Sequence, residues 1–388
     1  LRIALFTDTF FQINGVALVY RRFARWCAGR GVELEIFTPS RSSRPTLRQG
    51  SVTVHSVEMI SPVRYYRDLS YDALPLRPRI SEYVRAGRFD IVHIATQGHI
   101  ALVALKAATA AGLPRISCYH TKMPEYASSR FLRFFGDNPF GRWAAGLAEE
   151  RSWWYQRELY ASSELVLVPT ESARRVIEER TGVPTAIFSR GVDTEAFSPG
   201  FRQRAAGDGQ IRTLYVGRIS VEKNLELLAR LGPPGGEGLR LVGDGPAGFG
   251  GKLRALLPRA RFLGFVEGEA LAREYASADI FAFPSKTETF GNAVLEAMAS
   301  GLPVIVTAEG GPKDFVENGR TGIVADSDSR FVEAHRQLTE NGEVRARLGG
   351  AARRYAQGCS WDRVFSEQLL GNYRAVIERA RKRRSTGQ

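Results

Sequence analysis

Glu288 and Glu296 are separated by seven residues in the run Lys286-Thr287-Glu288-Thr289-Phe290-Gly291-Asn292-Ala293-Val294-Leu295-Glu296. The preceding run, Asp279-Ile280-Phe281-Ala282-Phe283, is apolar, ends at Pro284 and reads as a buried strand. Asn292 to Ser300 has helical spacing and stops at Gly301, ahead of Pro303. Glu288 is therefore expected on the loop at the carboxyl end of a strand, and Glu296 on the helix that follows. Phe290 and Gly291 break the chain between them. The backbone N–H groups of Gly291, Asn292 and Ala293 would open that helix, and the free N–H groups of a helix N-terminus can hold a phosphate. Two carboxylates flanking an anion cradle suit a sugar carried on a diphosphate. Glu288 can accept from sugar hydroxyls and Glu296 from ribose hydroxyls. Taken alone, two glutamates at this spacing occur by chance in many helices, and most such pairs are solvated.

Gly217-Arg218-Ile219-Ser220-Val221-Glu222-Lys223-Asn224 is the second feature. Arg218 leaves a strand end, and Lys223 is expected at the start of a helix. Two fixed cations there can neutralise a leaving diphosphate. Asn14-Gly15-Val16 occupies the first strand-to-helix loop, where glycine permits close backbone approach to a phosphate. His120, in Cys118-Tyr119-His120-Thr121, ends a strand. It can bond a sugar hydroxyl or orient an acceptor, although a lone histidine is more often structural.

Two strings point elsewhere and are set aside. Gly243-Asp244-Gly245-Pro246-Ala247-Gly248 matches the dinucleotide G-x-G-x-x-G pattern. Pro246 interrupts it, it does not follow the first strand, and no acid for a ribose ends a later strand, so nicotinamide chemistry is not expected. Asp326-Ser327-Asp328 has the Asp-x-Asp form that often holds a divalent ion, but it lies in a polar stretch and reads as a turn. No metal site and no cofactor are expected.

These residues hang on alternating strands and helices. Strand-like runs at Arg2–Thr7, Glu33–Thr38, Phe89–Ile94, Arg115–Tyr119 and Glu164–Val168 alternate with helical stretches, and the pattern restarts after about Ser189. Later runs lie at Ile211–Val216, Leu239–Val242, Ala260–Leu263, Ile280–Phe283 and Pro303–Val306. Such alternation implies an α/β chain with two doubly wound parallel sheets. The expected division is 1–188, 189–358 and a final helix with a basic tail, 359–388, crossing back. Ligands in such sheets bind at the carboxyl ends of strands, so two halves with loops facing would enclose one cleft.

The formal charge is +13, which favours an anionic partner. Between Arg130 and Trp143, Arg130, Arg133 and Arg142 interleave with Phe131, Phe134, Phe135, Phe140 and Trp143. Rings at headgroup depth with cations on anionic lipid would make this a membrane surface, and ordinary packing is the alternative. No nucleic-acid module is present, so nucleic acid is not an expected partner. Cys27, Cys118 and Cys359 have neither metal nor disulfide spacing, which fits a reduced, intracellular compartment; with the segment 130–143, the expectation is a cytoplasmic protein attached peripherally to the inner face of a membrane.

Taken together, the residues resemble glycosyltransferase family 4, the retaining family with the GT-B fold of two Rossmann-like domains. The resemblance rests on Glu288 to Glu296, on Val216-Gly217-Arg218 with Glu222-Lys223-Asn224, and on Arg190-Gly191-Val192-Asp193-Thr194 through Phe197-Ser198-Pro199. Val242-Gly243-Asp244-Gly245-Pro246, Gly264-Phe265-Val266 and Gly310-Gly311-Pro312 follow in family order. It implies a hexose transferred from a UDP- or GDP-sugar to a lipid or glycan hydroxyl, without a metal. Glu288, Arg218, Lys223 and His120 would be catalytic. Gly217, Gly243, Gly245, Phe265, Val266, Phe290, Gly291, Asn292, Ala293 and Glu296 would hold the donor, with the base near Phe265-Val266. Asn14, Gly15 and Val16 would reach it from the acceptor side. Phe10 to Val16 and Tyr119 to Tyr126 look more like the transferases that form mannosyl, glucosyl and sulfoquinovosyl lipids. The rival readings are a nucleotide-sugar epimerase or oxidoreductase, and a non-catalytic binder of anionic membrane.

Overall fold

A computed structural model describes residues 1–12, 14–40, 46–64, 70–75, 79–204, 209–233, 236 and 238–386. Ile13, part of the first loop, lies outside them. The chain divides into two units, Leu1–Ser189 with Phe365–Gln388, and Arg190–Val364.

The first unit is built on strands β1 (Arg2–Phe6), β2 (Glu33–Ser40), β3 (Leu47–Gln49), β4 (Val52–Arg64), β5 (Ser70–Pro75), β6 (Ile91–Ile94), β7 (Arg115–Cys118), β8 (Leu165–Val168) and β9 (Thr185–Ile187). Their order is β3-β4-β2-β1-β6-β7-β8-β9, with β5 on β4. β3 and β5 run antiparallel to β4, and the other pairs are parallel. Strands buried on both faces read as unbroken apolar runs, as Ile3-Ala4-Leu5-Phe6 does. The expected run Glu33–Thr38 extends further, with Pro39 inside β2 opposite Val57. The antiparallel excursion over β3 to β5 had no counterpart in the alternation pattern.

From β1 the sheet grows one way through β2 and β4, and the other way through β6, β7 and β8. The point of reversal leaves a crevice at the carboxyl ends of β1 and β6. Asp8 lies just past β1. Its carboxylate accepts from Thr96 Oγ1 (2.6 Å), Gly98 N (3.1 Å) and Ile100 N (3.3 Å), and so caps the helix His99–Ala111. A side chain at Gly98 would put its Cβ 2.4 Å from that carboxylate.

The last helix, Leu370–Thr386, belongs to this unit and buries Leu370, Tyr373, Val376 and Ile377. Phe365 packs its ring on Phe23 and Trp26 from the helix Gly15–Ala28. Residues 359–364 stay with the second unit, where Val192 N donates to Cys359 O at 2.8 Å.

The second unit carries β10 (Thr213–Val216), β11 (Leu239–Val242), β12 (Arg261–Gly264), β13 (Ile280–Phe283), β14 (Val304–Thr307) and β15 (Gly322–Ala325). All pairs are parallel, in the order β12-β11-β10-β13-β14-β15. This is the doubly wound order, and its reversal falls between β10 and β13. The loops that leave those two strands carry Arg218, Lys223 and Glu288. Leu214, Ile280, Phe281, Val294, Met298 and Ile305 form part of a continuous core beneath them.

Candidate active site

In the second unit, Lys223 Nζ lies 2.5 Å from Glu288 Oε1, with both side chains largely covered. Arg218 and Glu222 approach within 3.9 Å, and Ser220 Oγ donates to Glu222 Oε1 at 2.7 Å. Thr287 Oγ1 donates to the Glu222 carbonyl at 3.3 Å, tying the loop after β13 to the loop after β10. One ammonium thus stands beside one carboxylate, with a guanidinium five residues before it in the chain.

The segment after Ser220 departs from the expected helix. Val221–Lys223 and Leu225–Arg230 are two short 3-10 turns, divided by Asn224 at φ 54°. Leu225, Leu227 and Leu228 are all buried, so the turns face the core on more sides than one α-helical stripe would. Lys223 therefore does not itself open an α-helix.

Glycines let neighbouring loops touch backbone to backbone. Gly217 N donates to Val242 O (2.9 Å), Ile219 N to Asp244 O (2.9 Å) and Gly243 N to Gly264 O (2.8 Å). A Cβ on Gly243 would fall 1.8 Å from the Gly217 carbonyl oxygen, and one on Gly245 the same distance from that of Ile219. Gly243 also sits at φ 136°. These bonds set Gly217, Gly243 and Gly245 side by side and lead into Gly264, Phe265 and Val266. Phe265 is exposed, whereas Val266 packs against the core.

On the other flank, Gly291 at φ 93° precedes the helix Asn292–Ala299, as its spacing suggested. Phe290 is buried and stacks on Phe315 at 4.6 Å. Gly311 N donates to Glu288 O at 2.8 Å, and a Cβ at Gly291 would meet Pro312 at 2.7 Å. The Gly310-Gly311-Pro312 turn thereby braces the Glu288 loop. Glu296 lies further along that helix, and buried Tyr275 donates its hydroxyl to Glu296 Oε2 at 2.9 Å. Burial first, then the nearby carboxylate, raises the Tyr275 pKa, so the phenol keeps its proton. Asp326-Ser327-Asp328 is a helix start, with Ser327 as the cap of Asp328–Glu340.

The first unit holds the remaining candidates. Asn14 caps the helix Gly15–Ala28, its side chain accepting from Ala17 N at 2.9 Å. Gly15 is exposed and Val16 half-buried at that end. His120, just beyond β7, is buried, and its Nε2 lies 2.6 Å from the Tyr20 hydroxyl. The same hydroxyl lies 3.1 Å from His93 Nε2, and His93 Nδ1 bonds the hydroxyl of Tyr373 on the last helix. Sequence reading passed over Tyr20, His93 and Tyr373. The available signal was His93 itself: a histidine inside the apolar strand Ile91-Val92-His93-Ile94 must find partners. Nothing local identifies Tyr373 as one of them.

Two doubly wound units with a closing helix that returns to the first are the GT-B architecture. Solved structures share it: HepE of Anabaena in complex with UDP and glucose has a TM-score of 0.71 at 17% identity, over 97% of this chain and 100% of that one. Sequence comparison carries the assignment further. Residues 13–196 match the model described as Glycosyltransferase Family 4, and residues 210–341 match Glycosyl transferases group 1. A GDP-mannose-dependent alpha-mannosyltransferase of Mycolicibacterium smegmatis is 32% identical, over 98% of each chain. The sulfoquinovosyl transferase SQD2 of Arabidopsis thaliana is 30% identical, over 99% of this chain and 75% of its own. The chain belongs to glycosyltransferase family 4.

Proposed function

We propose that this glycosyltransferase moves a hexose from a UDP- or GDP-sugar to a hydroxyl of a lipid or glycan, with retention of configuration and without a metal ion. The observation that carries the reading is the Lys223–Glu288 pair, 2.5 Å apart in the loops at the reversal of the second sheet. In this reading Lys223 and Arg218 meet the diphosphate, as do the backbone N–H groups of Gly291, Asn292 and Ala293. Glu288 accepts from the hexose, Glu296 accepts from the ribose, and the base lies by Phe265 and Val266. Asn14, Gly15, Val16 and His120 serve the acceptor side. The relative named for GDP-mannose makes that sugar the first donor to try.

The chemistry needs no protein nucleophile. The bond from the anomeric carbon to the phosphate oxygen breaks through an oxocarbenium-like state. The acceptor oxygen bonds to the same face, and its proton passes to the departing phosphate. Fixed cations at the phosphate stabilise the charge that develops there, and removing one such contact typically costs about 100-fold or more in turnover.

The acceptor side also favours a lipid. Phe134, Phe140 and Trp143 are 81%, 57% and 63% exposed where the helices Met123–Phe135 and Pro139–Ala161 meet. Their rings form a chain with Phe131 and Phe135, at centroid spacings of 4.8 to 5.9 Å. Exposed apolar patches of this kind mark interaction surfaces, and aromatic rings beside arginines suit an anionic bilayer. We propose peripheral membrane association from the cytoplasmic side through this surface.

The test is transfer and donor hydrolysis with a panel of UDP- and GDP-sugars. Glu288→Ala and Lys223→Ala should each lose about 100-fold or more in turnover while the thermal midpoint shows a folded protein. Undiminished turnover in both variants ends the reading. Isomerised donor without transfer would favour an epimerase instead.

A further inference from the structure

We infer that the second unit carries an anion-binding pocket at the amino ends of β10, β11 and β12, suited to a ligand with clustered phosphate groups and separate from the loops of Arg218, Lys223 and Glu288. A cavity of about 640 Å³ opens there, walled by Gln210, Arg212, Leu239, Arg240, Arg259 and Arg261. Its volume lies within the ~300–1,000 Å³ of small-molecule sites. Such sites are mostly apolar, whereas guanidinium groups dominate this one, and that favours an anionic occupant.

Three adjacent strands gather the arginines. Arg240 is the second residue of β11 and Arg261 the first of β12, and the two are register partners in that parallel pair. Both side chains therefore leave the same face of the sheet. Arg212 directly precedes β10, and Arg259 lies two residues before β12. Like charges aligned on neighbouring strands repel, so the sheet itself gains nothing from this arrangement. An anion between the guanidinium groups would relieve the repulsion.

Nearby carboxylates do not cancel the charge. Glu274, on the helix Gly268–Ser277, accepts from Arg240 Nε and Nη2, each at 2.8 Å. Asp279 is shared by Arg202 and Arg204, each at 2.8 Å. Arg204 also donates to the Gln210 carbonyl at 2.6 Å, which fixes that wall of the pocket. Arg212, Arg259 and Arg261 then outnumber the two further acids of the flanking sequence, Asp208 and Glu237. With every acid of these segments counted, six arginines are set against four carboxylates, a surplus of two positive charges. The planar fork of a guanidinium matches phosphate oxygens, so the surplus suits a ligand with two or more negative charges. The strands are four residues long, which puts the pocket about 13 Å from the carboxyl ends where the loops of Arg218 and Glu288 begin.

Calorimetric titration with inorganic triphosphate tests the pocket. Wild-type protein should bind it. Arg259→Gln combined with Arg261→Gln should weaken binding by about tenfold or more, through the loss of two charge-assisted contacts. Both side chains are exposed, so these substitutions leave the core untouched. Arg320→Gln combined with Arg336→Gln removes the same charge from an exposed surface elsewhere in the unit, and should change binding by less than about twofold. Equal weakening by the two pairs would reduce the effect to overall charge and overturn the inference. So would binding that is kept in Arg259→Gln/Arg261→Gln but lost in Lys223→Ala, which places the anion at the Lys223 loop. Vesicles containing phosphatidic acid, offered to proteins that all carry Phe134→Ser and Trp143→Ser, identify the source of the phosphate. Vesicle binding that depends on Arg259 and Arg261, without triphosphate binding, assigns the pocket to a lipid headgroup. Triphosphate binding alone assigns it to a soluble compound. A protein that takes up neither probe overturns the inference.

Discussion

A single atom decides much at the glycines of the second unit. Gly243 sits at φ 136°, and a Cβ there would lie 1.8 Å from the Gly217 carbonyl oxygen. Neither a side-chain rotation nor a small shift relieves contact with backbone. Gly243→Ala should therefore cost at least about 2 kcal/mol of stability, through strained backbone and a displaced loop. It should also weaken binding of the donor nucleotide, because Gly217 and Arg218 move with that loop. Gly248→Ala is the control. It lies in the helix Ala247–Leu256 with nothing within 4 Å of its added Cβ, and should stabilise by about 0.5–1 kcal/mol. Chemical denaturation of the two variants distinguishes the sites. Equal stability of both would contradict the steric argument.

At the scale of elements, the helices Met123–Phe135 and Pro139–Ala161 pack together and leave an unusual end. Gly136 at φ 80° and Asn138, whose side chain accepts from Gly141 N at 2.8 Å, turn the chain between them. The turn gathers Phe134, Phe140 and Trp143 on the outside instead of in a core. If the patch meets an anionic bilayer, wild-type protein should sediment with phosphatidylglycerol-containing vesicles more than with phosphatidylcholine vesicles. Phe134→Ser combined with Trp143→Ser should reduce that binding by about tenfold or more and leave transfer to a water-soluble acceptor intact. Binding that is indifferent to both substitutions rules out this surface. A concentration-dependent dimer abolished by them would assign it to a second copy of the chain. Among the described residues no helix is long and apolar enough to cross a membrane.

At the scale of the molecule, each unit contains a buried histidine that folding keeps neutral. Burial lowers His93 to about 3 and His335 to about 4, the latter bonding Thr213 Oγ1 at 2.8 Å. Both folded-state values lie below the ordinary 6.5, so the unfolded chain takes up protons more readily as pH falls. The stability is complete above about pH 6.5 and declines as pH drops toward 4 and then 3, by up to about 1.4 kcal/mol per pH unit for each histidine. Glu35 adds to the decline. Burial alone would raise its carboxyl, but bonds from His55, Arg2 and Tyr83 outweigh that and hold it at about 2, so its contribution fades below about pH 4.5. Urea melts at pH 7.5 and pH 5 should give clearly lower midpoints at pH 5 for both units. Midpoints that do not change would refute the assignment of neutral histidines.

Local pattern alone was enough for the alternation of strands and helices, the Glu288 loop and the helix carrying Glu296. Those features depend on neighbours within a turn or a strand, and residue spacing records such neighbours directly. It misread the segment after Ser220 as a helix, because spacing does not reveal how many sides of a short turn will be buried. It could not show that Lys223 meets Glu288 across 65 positions, that Tyr20 reaches His120 across 100, or that Tyr373 anchors His93 across 280. Strand order and register bring those pairs together, and both are settled by the packing of the whole sheet. A side chain's chemistry is written at its own position, but its partner is chosen by the fold.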